Sequence, residues 1–433
     1  MPCRNLALKA RTDRRYIRST YRSNRFILAE IAAPHAHREG GDRSRPPVNL
    51  AFVIDRSGSM AGEKMRLAKE AVRQSIARLQ ADDQFSVVTY DDVVDVVVGS
   101  TRATPESRER ALAQLATIDA RNQTNLAEGW LRGCAQVAEH LLTDGVNRCL
   151  LLTDGLANVG MTNPDELARH AGELRARGVS TTTFGVGADF DEVLLQAMAT
   201  AGGGNFYYIA DGRQIADYVT SEVGEALDVV ARDVRLEIVA PESAAVESLS
   251  PFPFESRGAR TIVSLGSMVA EQVVQVVLRV NLPLGESSRE TGIVLSVAGA
   301  SAVAAGSAEP SESVAISWEY ADSKTNDAQE RDAEVDRAVA RVFASRARQE
   351  ATSLNHAGDY GRAAAALTSV AKRIRSYAGR DTEMRNLIAS LDADAQQLAA
   401  PMPPAALKEM HFRSYRSAKT RDEMGRAMRR PQS

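Results

Sequence analysis

The run Ala51-Phe52-Val53-Ile54-Asp55-Arg56-Ser57-Gly58-Ser59-Met60 holds one carboxylate and two hydroxyls at alternate positions, directly after an apolar stretch. The apolar part reads as a buried strand, and Asp55, Ser57 and Ser59 fall in the turn at its end. Alternate residues of a short turn can point into one small volume. Three hard oxygens converging there suit a hard divalent cation, Mg²⁺ above all, with Mn²⁺ and Ca²⁺ as substitutes. Asp and Ser are also ordinary turn and helix-capping residues, so the surroundings matter. A Pro-Pro-Val-Asn-Leu entry (Pro46 to Leu50) leads into the strand. After Gly62 a helix is expected, with Met65, Ala68, Val72, Ile76 and Leu79 along one face.

Two further segments carry matching chemistry. Gln123-Thr124-Asn125-Leu126 lies in a polar loop before a helix expected over about 125–141. Arg148-Cys149-Leu150-Leu151-Leu152-Thr153-Asp154-Gly155 is a second buried strand ending in a carboxylate. The string Leu142-Thr143-Asp144-Gly145 repeats the last four residue types of this strand, but it follows a helix and reads as a helix stop. Together the three segments resemble the von Willebrand factor type A (vWA) domain. Its metal-ion-dependent adhesion site uses an Asp-x-Ser-x-Ser turn, a distant Thr and a distant Asp. The resemblance implies that Asp55, Ser57, Ser59, Thr124 and Asp154 ligate the metal, some of them through water. It covers residues from about 46 to 228 and includes Gly185-Val186-Gly187. Arg56, in the variable second position of the motif, reads as unremarkable.

The donor set has consequences for function. Mg²⁺ takes six oxygens in octahedral array; with three neutral hydroxyls among the ligands and some contacts made through water, one position stays open and positive charge at the ion is incompletely neutralised. An Asp or Glu of a partner protein supplies both the charge and the oxygen. This is recognition chemistry: no Ser-His-Asp spacing and no histidine accompany the motif, so no enzymatic activity is expected. Asp55 and Asp154 could be read as paired acid/base carboxylates, but the hydroxyls between them argue for a metal. The expected role is a metal-dependent protein-interaction module or scaffold. The resemblance offers two alternatives, an adaptor subunit of an AAA+ ATPase or cofactor-assembly machine, and a component of a bacterial signalling or defence system.

The surrounding chain must position these residues. Its 433 residues allow two or three domains, and 44% hydrophobic and 25% charged residues with a formal charge of −3 give no general pull toward nucleic acid. The ends are basic: residues 1–46 hold eleven Lys/Arg against four Asp/Glu, and 401–433 hold eight against three. Three cysteines, Cys3, Cys134 and Cys149, imply no disulfide framework. With no secretory leader and no apolar run of about twenty residues, no membrane span and a cytoplasmic setting are expected. His35 and His37 form an isolated His-x-His in a loop, and no phosphate-binding glycine loop occurs.

The expected fold is multidomain. Residues 46–230 alternate strands and helices, as a doubly wound, Rossmann-like α/β vWA domain would. Residues 231–322 read as an antiparallel β-sandwich, which the strands near Tyr16–Tyr21 and Phe26–Ile31 within 1–45 are expected to complete. Residues 325–400 read as a helical hairpin or bundle, with a tetratricopeptide-like turn at Gly358-Asp359-Tyr360. Residues 401–433 read as a basic mobile tail in which Met410-His411-Phe412 could dock on a partner. The layout resembles bacterial vWA proteins labelled as calcium-activated chloride channel homologues. Without a membrane span, channel activity does not carry over.

Overall fold

Eight consecutive residues, Val48–Asp55, are buried, because a parallel strand covered by helices on both faces has no solvent side. The computed structural model describes residues 6–36, 45–121, 124–157, 159–301 and 312–430; His37, Gln123 and Cys3 lie outside them. In chain order the first strands are β1 (Ala7–Thr12), β2 (Tyr16–Arg18), β3 (Ser23–Ala32) and β4 (Val48–Asp55). Then come α1 (Glu63–Ala77), β5 (Gln84–Tyr90), β6 (Val94–Arg102), α2 (Pro105–Ala116), α3 (Leu126–Glu139) and β7 (Val146–Thr153). Next are α4 (Pro164–Ala176), β8 (Ser180–Val186), α5 (Glu192–Ala201), β9 (Gly203–Ile209) and α6 (Ile215–Ala226). The chain divides into two compact units, one spanning 37 to 230, the other combining the residues up to 36 with those from 231 onward.

In the 37–230 unit six strands form one sheet in the order β6-β5-β4-β7-β8-β9. All neighbours are parallel except β5 and β6. The chain leaves β4 on one side for β5 and returns on its other side as β7. The switch point of the winding therefore lies between β4 and β7, and ligands of such sheets bind outside the strand carboxyl ends at that point. Asp55 ends β4, and Asp154 follows the last residue of β7. Helix α3 lies against β4 and β5 closely enough that a Cβ on Gly129 would collide with the Tyr90 ring and one on Gly133 with Val53. Two glycines four residues apart put one smooth helical face against the sheet. Side chains cap the starts of α2 and α4: Thr104 accepts from the Ser107 amide, and Asn163 from those of Asp165 and Glu166.

The second unit continues with β10 (Val229–Val239), β11 (Ala245–Ser248), β12 (Phe254–Arg257), β13 (Arg260–Val269), β14 (Val273–Leu282), β15 (Glu290–Ser301) and β16 (Glu312–Ala321). Five helices follow: α7 (Ser323–Ala328), α8 (Ala333–His356), α9 (Tyr360–Arg375), α10 (Thr382–Leu398) and α11 (Pro404–Ala418). A four-stranded sheet has the order β1-β3-β14-β11, and a six-stranded sheet the order β12-β13-β10-β15-β16-β2. The first three strands thus divide between the sheets: β3 sits between β1 and β14, while β2 pairs in parallel with β16. Reading two early strands instead of three missed β1, whose burial is too mixed for an alternation signal. Helix α8 covers the four-stranded sheet, where Val335, Ala338, Val339 and Val342 pack with Phe26, Leu28 and Val277.

The expected mobile tail is a correction. Residues 404–418 form α11, with Leu407, Met410, Phe412 and Tyr415 buried, and Leu407 and Met410 join the core shared by α8, α9 and α10. Beyond it the Val273 amide donates to the Met428 carbonyl at 2.9 Å, and the Arg430 amide to that of Glu271 at 3.0 Å. Basic composition concealed an apolar stripe at helical spacing, and Pro404 at the first turn marks the helix start. Met410, His411 and Phe412 are buried in this chain and so do not form an exposed docking motif.

Candidate metal centre at the sheet switch point

Asp55 holds the turn that follows it. Its Oδ1 accepts the Ser57 amide at 2.8 Å and its Oδ2 the Thr153 hydroxyl at 2.6 Å. The second bond ties β4 to β7 across the switch point. From Ser57 a line of oxygens runs outward: Ser57 Oγ to Ser59 Oγ is 3.1 Å, and Ser59 Oγ donates to Asp154 Oδ1 at 2.7 Å. Thr124 enters from the loop before α3, whose first turn is fixed by the Asn125 amide donating to the Asp91 carbonyl at 2.8 Å. At Gly155 a Cβ would stand 3.4 Å from Thr124 Oγ1 and 3.9 Å from Asp55 Oδ2. The missing side chain leaves that space to oxygen atoms. All five expected residues therefore gather at one strand edge, with Asp55, Ser57, Thr124 and Asp154 buried and Ser59 open to solvent.

This donor set fits a hard divalent cation. Two buried carboxylates face three hydroxyls, and every donor is oxygen. Burial pushes the Asp55 carboxyl above its usual range against the hydrogen bonds from Thr153 and Ser57, and the Asp154 charge adds to the rise. A cation relieves both costs. Among the described residues no three His, Cys, Asp or Glu side chains converge to hold a metal, here or at another place, so the candidate rests on two carboxylates and three hydroxyls.

Three contributions escaped the sequence reading. Lys64, on the first turn of α1, places Nζ 2.5 Å from Asp154 Oδ2 and 3.3 Å from the Ser59 carbonyl. Thr153 is the link between the two carboxylate strands, although it was visible in the Leu-Thr-Asp-Gly string. Arg56 is buried, which corrects its reading as unremarkable. Its guanidinium bonds Asp91 at 3.2 Å and Asp95 at 2.5 Å, and Arg121 bonds the same two at 3.0 and 3.3 Å. Burial raises the Asp91 carboxyl, but the Val93 amide and the Arg56 and Arg121 charges outweigh it and hold the group below its ordinary range. The turn is thus braced from below by an ion-pair cluster. A cation in the variable position of the motif, with acids just after β5, was the only available signal.

Residues 49–221 match the family model for the von Willebrand factor type A domain. The chain carries a vWA domain. It is 31% identical to the YfbK protein of Escherichia coli K12 over 195 residues, which is 45% of this chain and 34% of that protein. It is 30% identical to human inter-alpha-trypsin inhibitor heavy chain H3 over 159 residues, 35% of this chain and 18% of the other. The match thus spans about a third of one curated relative and under a fifth of the other. Two solved structures share the fold across nearly the whole chain. A von Willebrand factor type A protein from Catenulispora acidiphila covers 92% of this chain and 97% of its own at a TM-score of 0.70 and 20% identity. The ArnB paralog VWA2 from Sulfolobus acidocaldarius covers 95% and 99% at 0.65 and 15%. The two-sheet and helical unit is therefore part of the shared architecture along with the vWA domain.

Proposed function

We propose that the vWA domain recognises a partner protein through a divalent cation, Mg²⁺ before Mn²⁺ or Ca²⁺, held by Asp55, Ser57, Ser59, Thr124 and Asp154. The supporting observation is the convergence of five oxygen donors, only two of them charged, at the switch-point edge of the sheet. A bound cation supplies a coordination position that an Asp or Glu of the partner can fill, because five donors leave one of six octahedral positions open and a hard ion prefers charged oxygen. The chain's own residues prepare that position. Asp55 fixes the turn, Ser59 stands at its solvent side, and the Thr153 bond holds the two strands in register. The side chains meeting there are carboxylate, hydroxyl and one ammonium, which suits binding over catalysis. A reducing, cytoplasmic setting suits the neighbouring thiols of Cys134 and Cys149, which are buried and unbridged. Among the described residues no helix is long and apolar enough to cross a membrane.

Calorimetric titration of the chelator-treated chain should show one Mg²⁺ or Mn²⁺ site. The Asp55→Ala and Thr124→Ala variants should lose it while still melting cooperatively, and wild-type binding in both would remove the assignment. Pull-downs with and without EDTA then test the partner. Asp154→Ala should release it, and charge reversal of one acid on the partner should do the same. If Asp154→Ala retains every partner while a chain ending near Tyr320 loses them all, recognition lies in the helices.

A further inference from the structure

In the unit built on the two sheets, a cleft of about 250 Å³ opens between the four-stranded sheet and the helices. Four arginines from four separate segments line it: Arg14 before β2, Arg279 on β14, Arg331 before α8 and Arg373 on α9. Tyr377 and Phe343 form part of the same wall. The Arg331 guanidinium stacks 5.0 Å from the Tyr377 ring centroid and that of Arg373 4.4 Å from the Phe343 ring. The Arg331 edge is taken by both Asp336 carboxylate oxygens at 2.6 Å, whereas no carboxylate engages that of Arg373 among the described residues.

The charges here do not balance. Arg14 pairs with Asp13 at 3.1 Å, Arg331 with Asp336 at 2.6 Å, and Arg279 with Glu247. Arg373 has no ion pair among the described residues. Two further arginines feel the charges of the lining residues, Arg25 those of Arg14 and Arg331 and Arg346 that of Arg279. Burial first, then the Arg14 charge, lowers Arg25 to about 10, and burial with Arg279 nearby lowers Arg346 against the pull of Glu247. The four arginines of the cleft thus face three carboxylate partners, and the Arg373 charge is left over. Tyr377 adds a second anomaly: its hydroxyl oxygen is buried and has no hydrogen-bond partner among the described residues. Burial, then the Asp336 charge, pushes Tyr377 up to about 12, against Arg331 and Arg373, so at neutral pH it remains a donor. An unmade bond of this kind is costly and calls for an acceptor.

We propose that the cleft binds a phosphoryl group, free or carried on a small organic body. A single carboxylate is satisfied by one guanidinium fork. A phosphoryl dianion presents three acceptor oxygens and about −1.5 to −2 charge, which suits arginines arriving from several directions together with an unpaired hydroxyl. The apolar face of Phe343 would meet the organic part where there is one.

The test titrates the full chain, in EDTA to silence the metal centre, with inorganic phosphate and with phenyl phosphate, using acetate at matched ionic strength as control. Arg373→Gln and Tyr377→Phe are the variants. Arg373 is exposed, so its replacement should leave the ligand-free melting temperature near wild type. Both phosphates should raise the wild-type melting temperature where acetate does not. Arg373→Gln should weaken phosphate at least tenfold and Tyr377→Phe several-fold. Tighter phenyl phosphate identifies a phosphorylated organic ligand, and equal binding identifies free phosphate. Wild-type affinity in both variants, or no stabilisation beyond acetate, would overturn the proposal.

Discussion

Lys64 would compete with the proposed cation for Asp154. Its Nζ lies 2.5 Å from Asp154 Oδ2, and its side chain is 33% exposed, so the ammonium can swing into solvent on its flexible stem. Asp154 is buried and needs a counter-charge. In chelator, Lys64→Met should therefore cost about 1–2 kcal/mol, less than for a fully buried pair because Lys64 is partly solvated. With metal the sign reverses: no ammonium has to leave, and the affinity for Mn²⁺ should rise several-fold. Chelator melts and a Mn²⁺ titration measure both, and an unchanged or weaker affinity would count against the competition. That five oxygen-bearing side chains would meet at one strand edge was legible because motif and strand ends are local patterns. Lys64 was not, since only the folded turn after β4 sets the start of α1, and with it an ordinary surface-type lysine, beside Asp154.

At the scale of elements, the metal turn depends on the brace below it. Arg56 and Arg121 hold Asp91 just beyond β5, and the Asp91 carbonyl takes the Asn125 amide that starts α3. Three segments bearing ligands or their supports thus meet at one buried acid. The Asp91 carboxyl is lower in the fold than in the unfolded chain. Its ionised form therefore favours folding at and above the unfolded value of about 3.9, and that contribution is lost as pH falls through the folded value. Asp91→Asn should cost about 3 kcal/mol near neutrality, where two guanidiniums lose their buried acceptor. The fall in stability between about pH 5 and 3 should also be shallower than in wild type, measured in chelator by denaturant titration. Equal slopes would assign the acid loss to other carboxylates. Elements with one strong period were readable: the doubly wound strands are continuous apolar runs, and α8 shows its face through Val335, Val339 and Val342. The short strands β11 and β12 were not, because β12 is fully exposed and carries no pattern of burial. Helix α11 was hidden by the charge of the segment around it.

On the scale of the molecule, the chain leaves its first unit at about residue 36 and returns to it at about 231, with the vWA domain formed in between. The strand that makes this obligatory is β3. It pairs along its whole length with β14 and on its other side with β1, and it buries Ile27, Leu28, Ala29 and Ile31. Without it, β14 would present a ten-residue unpaired edge, seven of whose residues are apolar, which is a template for aggregation. Helix α8 would also lose Phe26 and Leu28 from its sheet contact. The vWA domain has no such debt, since all six strands of its sheet lie within 48–209. A chain of residues 45–230 should therefore melt cooperatively and bind Mn²⁺ with the affinity of the full protein. A chain of residues 231–430 should aggregate, and co-expression with residues 1–36 should recover part of it in soluble form, because β3 can add back as a paired strand. Light scattering and thermal melts decide the matter. A soluble, monomeric 231–430 chain with a sharp melt would mean that the helices alone stabilise the sheets and that β3 is dispensable.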